Sequence, residues 1–209
     1  MMASPPELEF FYDCSSPWTY FAFARVIPLM EELELPIRWR PILVGGVFNA
    51  ANQRIYAARE GMFADEQRLT HYFKDMQNWS EFIGIKVDQP DIFPVNSVKG
   101  MRGTFFAEEQ GVIVEYSQAL FKAYWGDNRD ISDDKVLQTI AESVGLNPTA
   151  YFAAITSPGY KDKLRSNTDE LVSRGGYGSP TMFINGDQMY FGNDRLPLVE
   201  HRLKQLLSR

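Results

Sequence analysis

Leu8-Glu9-Phe10-Phe11-Tyr12-Asp13-Cys14-Ser15-Ser16-Pro17-Trp18 is the stretch on which the fold turns. Its first residues are short, apolar and aromatic, and Asp13-Cys14-Ser15-Ser16-Pro17 then breaks them, the pattern of a buried strand that ends in a turn. Pro17 suits the first position of a helix, because the N–H it lacks is one that a helix start leaves unpaired anyway. Ser16 before it is a natural N-cap, and apolar residues recur at helical spacing from Trp18 to Leu33 until Pro36 closes the run. Ile37 to Leu43 reads as a second strand, so the chain opens as strand, helix, strand, with parallel pairing through a right-handed crossover expected.

Outward from that unit the character changes. From about Asn49 to Ser173 helical periodicity dominates, punctuated by Gly84, Pro90-Asp91, Pro94, Gly126-Asp127-Asn128 and Asn147-Pro148. Strand character returns at Thr181–Ile184, and Asn185-Gly186 before Gln188–Phe191 predicts a hairpin with a type I′ turn. A last amphipathic helix is expected from about Arg195 to Leu207, with Leu196, Val199, Leu203 and Leu206 on one face and Asn193 or Asp194 as its cap. The order is that of an α/β, thioredoxin-like fold with a large helical insertion. Residues 1–48 and 174–209 are expected to form the discontinuous thioredoxin-like domain and 49–173 the insertion.

Bulk composition narrows the function. The 209 residues are 44% hydrophobic and 14% aromatic, enough for a substantial core. A formal charge of -6, with no concentrated Lys/Arg tract, speaks against nucleic acid as a partner. No apolar run approaches the roughly 18 to 20 residues that cross a bilayer, and Met1 to Asp13 carries no basic segment followed by an apolar one, so a soluble cytoplasmic protein is expected. The single cysteine, Cys14, excludes an intrachain disulfide, and with His71 and His201 it makes no metal set.

Three features carry chemistry. Ser16 sits where a strand stops and a helix begins, beside unpaired N–H groups and the positive end of the helix dipole. On the local pattern it reads first as a helix cap; a bound thiolate would also be stabilised there. Gly178-Ser179-Pro180-Thr181 places a proline at a strand start, where a cis bond would present the Ser179 backbone to an extended peptide; an ordinary trans proline is the simpler alternative. Phe191-Gly192-Asn193-Asp194-Arg195 could offer N–H groups to a carboxylate and the Asp194 carboxylate to an amino group, or could serve only as a cap. Cys14 has no basic neighbour before Arg25 and reads as a small, partly buried residue, not a nucleophile.

Together with Arg38-Trp39-Arg40-Pro41-Ile42-Leu43, Tyr72-Phe73-Lys74-Asp75, Phe93-Pro94-Val95-Asn96-Ser97 and Asn167-Thr168-Asp169-Glu170, these motifs resemble, in order and spacing, the family of kappa-class glutathione transferases and 2-hydroxychromene-2-carboxylate isomerases, a branch of the thioredoxin superfamily. Where related oxidoreductases carry Cys-x-x-Cys, this chain has Ser16-Pro17-Trp18-Thr19, which forms no disulfide. The resemblance implies glutathione as the cofactor, with Ser16 donating a hydrogen bond to its sulfur and favouring thiolate. It implies that Ser179, ahead of a cis Pro180, pairs with the cysteinyl backbone, that Asn193 and Asp194 hold the γ-glutamyl end, and that Asn52 makes a further contact. The family often has a lysine where this chain has Leu69 beside Arg68, so the glycyl-carboxylate contact is unassigned. A bulkier apolar residue usually precedes the proline, so Ser179 is expected to make the pocket wall more polar.

The stretches Gly45–Gln53 and Lys74–Trp79 look more like the bacterial isomerases, in which glutathione thiolate adds reversibly to an unsaturated aromatic oxo-acid and returns unchanged. The alternatives are a kappa-class-like transferase conjugating electrophiles and a non-catalytic glutathione-binding module. Phe48, Tyr56, Trp79 and Trp125 are candidate linings of the acceptor pocket, and a homodimer is implied by the same resemblance.

Overall fold

A computed structural model of the chain describes residues 5–51 and 65–208. The elements follow in the order β1 (Leu8–Tyr12), α1 (Pro17–Glu32), β2 (Ile37–Pro41), α2 (Val44–Ala51), α3 (Glu66–Ile83), α4 (Val98–Glu109), α5 (Ile113–Phe121), α6 (Asp134–Ser143), α7 (Pro148–Thr156), α8 (Pro158–Ser173), β3 (Thr181–Ile184), β4 (Gln188–Phe191) and α9 (Leu196–Leu207). The strands form one sheet in the order β2-β1-β3-β4. β1 runs parallel to β2, from Leu8 opposite Ile37 to Tyr12 opposite Pro41, and antiparallel to β3, with Leu8 opposite Ile184. This is the thioredoxin-like arrangement expected from the chain order.

β1 is buried on both faces, which is why its sequence is nearly continuous in apolar residues. Alternation sends Phe10 and Tyr12 to one face, where they meet Phe23 and Trp39 at ring distances of 5.5 to 6.3 Å, with Phe121 6.5 Å from Tyr12. Phe11 goes to the other face and packs with Ile42, Val47, Leu171 and Phe183. Glu9, on the side of Phe11, is nearly buried and pairs with Arg174 at 2.7 Å and Arg40 at 3.8 Å, so its charge is matched by cations.

Helical structure begins at Val44, earlier than the sequence pattern placed it, and β2 stops at Pro41. The reason lies outside the segment. Leu43 N donates to Thr168 Oγ1 at 3.1 Å and Val44 N to Asp13 Oδ2 at 2.9 Å, which turns the chain away from the sheet despite the poor helix propensity of Gly45-Gly46. At Gly46 a Cβ would sit 3.2 Å from Thr168 Cγ2, a tight approach that the threonine methyl would have to yield to.

The hairpin has its expected turn residues in the left-handed region, Asn185 at φ 54° and Gly186 at φ 82°. Ile184 pairs with Gln188, so Asp187 also belongs to the loop. The expected cap of the last helix is corrected: Asn193–Arg195 form a 3₁₀ turn, and Arg195 precedes α9 without a side-chain cap bond. Asn193 instead turns inward, where its backbone carbonyl accepts from Arg25 at 3.1 Å.

After α5 a π-helical turn over Lys122–Gly126 drives Trp125 into the core, where its Nε1 donates to Cys14 O at 2.8 Å. Tyr20 of α1 stacks flat on Phe121 at 4.9 Å. The helices thereby support the β1–α1 turn directly.

Candidate active site

Ser16 caps α1 as its sequence context requires. With φ -113° and ψ 126° it is extended, and its Oγ accepts from Thr19 N at 3.3 Å. The hydroxyl proton is directed at Ser179 O across 3.4 Å, a long and weak contact. The same oxygen is therefore fixed as a cap, while its proton is loosely held at the positive end of a 16-residue helix.

The peptide bond between Ser179 and Pro180 is cis, and Phe93-Pro94 is cis as well. The carbonyl of Ser179 faces Ser16, but its side chain departs from expectation. Ser179 Oγ accepts from Asp13 N at 3.0 Å and lies 2.8 Å from Thr19 Oγ1. That hydroxyl is committed to the β1–α1 turn and is nearly buried, so the expectation of a more polar wall at this point is corrected.

Around Ser16 and Ser179 opens a cavity of about 740 Å³, within the range of small-molecule sites. Its walls are mainly apolar and carry aromatic side chains from distant segments: Trp18, Phe48, Tyr72, Phe93, Tyr177 and Phe191. Trp18 and Tyr72 meet edge to face at 5.5 Å, and Tyr177 leans on Phe191 at 4.5 Å. Gly178 is required by this packing, since a Cβ would lie 2.6 Å from Phe191 Cε2.

The expected acceptor lining holds for Phe48 only in part of its set. Trp125 is fully buried on Cys14, and Trp79 packs on Phe21 at 6.3 Å and under Arg25 at 5.2 Å; neither lines the cavity. Tyr56 and Asn52 lie outside the described residues. Ser16, Ser179 and the Ser179-Pro180 bond are brought together, whereas Asn193 and Asp194 follow the wall residue Phe191 without lining the cavity themselves. Asp194 pairs with Arg195 at 3.3 Å on the surface, and the Arg68 guanidinium turns to Asp65 at 3.5 Å.

Cys14 sits in the turn but is buried, with its N–H on Met101 Sδ at 3.4 Å, and burial pushes its thiol well up, to the protonated side. Among the described residues no group of three or more His, Cys, Asp or Glu side chains could hold a metal ion. Sequence reasoning overlooked Asp13, a buried carboxyl that lines the cavity. Burial pushes its carboxyl up, against the pull of the donors around it. The only local signal was a polar residue at the end of an apolar strand.

Comparison with known proteins agrees with the thioredoxin-like fold. The sequence model of the DSBA-like thioredoxin domain matches residues 7–204. The chain is 27% identical over 203 residues, 95% of each chain, to a 2-hydroxychromene-2-carboxylate isomerase of Pseudomonas putida. It is 21% identical over 210 residues to human glutathione S-transferase kappa 1, covering 95% of this chain and 91% of the relative. A solved structure of a 2-hydroxychromene-2-carboxylate isomerase superposes with a TM-score of 0.81 at 25% identity, covering 96% of this chain and 95% of the other.

Proposed function

The chain belongs to the DSBA-like thioredoxin domain family, and from that premise we propose that it is a glutathione-dependent isomerase of the 2-hydroxychromene-2-carboxylate isomerase type. The observation that carries the reading is the Ser16 hydroxyl, loosely tied to Ser179 O at 3.4 Å and facing an aromatic cavity at a helix start. A serine there, a threonine at position 19 and a single buried cysteine leave the turn no dithiol chemistry.

The residues fit the tripeptide in two respects. The weakly engaged Ser16 proton suits redirection to a thiolate acceptor, and the cavity of about 740 Å³ has room for a peptide and an aromatic acid side by side. Bound glutathione would supply a nucleophilic thiol that is released unchanged at the end of the cycle. Ser16 would donate to the sulfur and hold it deprotonated, helped by the dipole of α1. The backbone of Ser179, preceding Pro180, would align the cysteinyl residue, while Asn193 and Asp194 take the γ-glutamyl end and Asn52 adds a contact. Trp18, Phe48 and Tyr72 would hold the flat substrate against the sulfur and keep water out. The reading extends to a cytoplasmic homodimer, to be checked by light scattering and fractionation.

The test follows free glutathione during turnover of a hydroxychromene carboxylate. Constant glutathione with isomerised product supports the reading. Stoichiometric loss of thiol would assign the site to conjugation of electrophiles instead, and calorimetry with no heat of glutathione binding would overturn both.

A further inference from the structure

We propose that Asp13 is the positioning residue of this site, setting Ser16 in register with the other walls of the cavity. The inference rests on the reading of the cavity as the reaction site. Asp13 Oδ1 accepts from Ser15 N at 2.9 Å, and Oδ2 accepts from Val44 N at 2.9 Å and from Ser97 Oγ at 3.2 Å. Asp13 N donates to Ser179 Oγ at 3.0 Å, and Asp13 O accepts from Ser16 N at 3.3 Å. Each of these partners, Ser15, Ser16, Val44, Ser97 and Ser179, itself lines the cavity. One residue thus joins the thiol-binding turn, the start of α2, the start of α4 and the segment before Pro180.

Asp13 is 1% exposed, and among the described residues the donors to its carboxylate are neutral, two backbone N–H groups and the Ser97 hydroxyl. A buried carboxyl held only by neutral donors is expensive to keep in a fold, and elsewhere in this chain the buried Glu9 has its arginines. Retention at the centre of a cavity fits a role in geometry. Ser15 N and Val44 N, one on each carboxylate oxygen, both require an acceptor, so an amide could satisfy one of them and would oppose the other with its own N–H groups.

The experiment compares wild type with Asp13→Asn, Ser97→Ala and the double variant, reading kcat, KM for the acceptor, glutathione affinity, thermal midpoint and amide hydrogen exchange at Ser15 and Val44. The expectation for Asp13→Asn is a fall in kcat of about 10- to 100-fold, the scale of a small misplacement of reacting groups, with glutathione affinity changed far less. Ser97→Ala lowers kcat by less and adds nothing in the Asp13→Asn background, because it acts through the same carboxylate. Exchange at Ser15 and Val44 quickens in each variant. Unchanged kcat in Asp13→Asn, or additive losses in the double variant, overturns the proposal. Should Asp13→Asn fail to fold, Ser97→Ala decides by lowering kcat at an unmoved thermal midpoint or failing to. Absence of turnover in the wild type would tell against the isomerase reading alone, and unaltered exchange at Ser15 and Val44 would then overturn the role of Asp13.

Discussion

Thr19 Oγ1 lies 2.8 Å from Ser179 Oγ, with both residues buried behind the turn that Ser16 caps. The pair closes the back of the site, for Ser179 Oγ also takes the N–H of Asp13. Thr19 is spent on holding the segment before Pro180 in place. Ser16 is left as the hydroxyl of this group with a loosely engaged proton at the cavity.

Ser16→Ala removes both a cap and the proposed thiolate partner. The cap bond to Thr19 N is worth about 1 kcal/mol, a drop of roughly 2–4 °C in midpoint for a chain of this size. Turnover should fall on the order of 10²-fold, the scale of removing one donor from an anion held in a site, while glutathione binding is mostly kept. Calorimetry and steady-state kinetics check the two halves separately, and an unaffected rate would remove Ser16 from the mechanism.

Ser16→Cys combined with Thr19→Cys should restore a redox turn. Titration of thiols before and after reduction is expected to show a reversible disulfide, and an insulin-reduction assay should gain a signal that wild type lacks. Persistent free thiols under oxidation would mean that the two positions do not approach as they do in a Cys-x-x-Cys turn.

Cys14 should be inert in the native protein. Burial raises its pKa, so the thiol stays protonated through and above neutral pH and lacks the thiolate needed for attack. A chromogenic disulfide reagent at pH 8 should label it only on unfolding in guanidinium. Rapid labelling of folded protein would contradict the burial of this turn.

Glu109 reports the pH dependence of the helical region. Hydrogen bonds from Lys163, at 2.8 Å, and from Tyr160 lower its pKa, so the native state binds its proton less readily than the unfolded chain. Its stabilisation is present above the unfolded value of about 4.3 and fades as pH falls through the lower folded value. Glu109→Gln should therefore lower the thermal midpoint modestly at pH 7, the pair being half exposed and screened, with the difference shrinking as pH falls below the unfolded value. A constant difference across that window would exclude the ion pair as its source.

The strand, turn and helix at Leu8–Glu32 were readable because their signals are local: an apolar run, a capping serine and a proline at the helix start. The hairpin at Asn185-Gly186 was readable for the same reason, since left-handed dihedrals select those residues. The aromatic wall was not. Trp79, Trp125 and Phe48 look alike in a helical pattern, and only packing separates the one that meets the cavity from those that support the core. The helix start at Val44 and the inward turn of Asn193 also escaped, because each is fixed by partners far along the chain.

What the sequence determined by itself was the α/β order, the capping serine at position 16 with threonine at 19, and a single cysteine with no second thiol to pair with. Each follows from residue type and near neighbours. Tertiary structure decided which groups surround that serine. Asp13 meets Val44, Ser97 and Ser179 across separations of 31, 84 and 166 residues, and Trp125 reaches Cys14 across 111. Hydrogen bonds between such distant residues depend on how whole elements pack, and no periodicity or spacing in the chain encodes them.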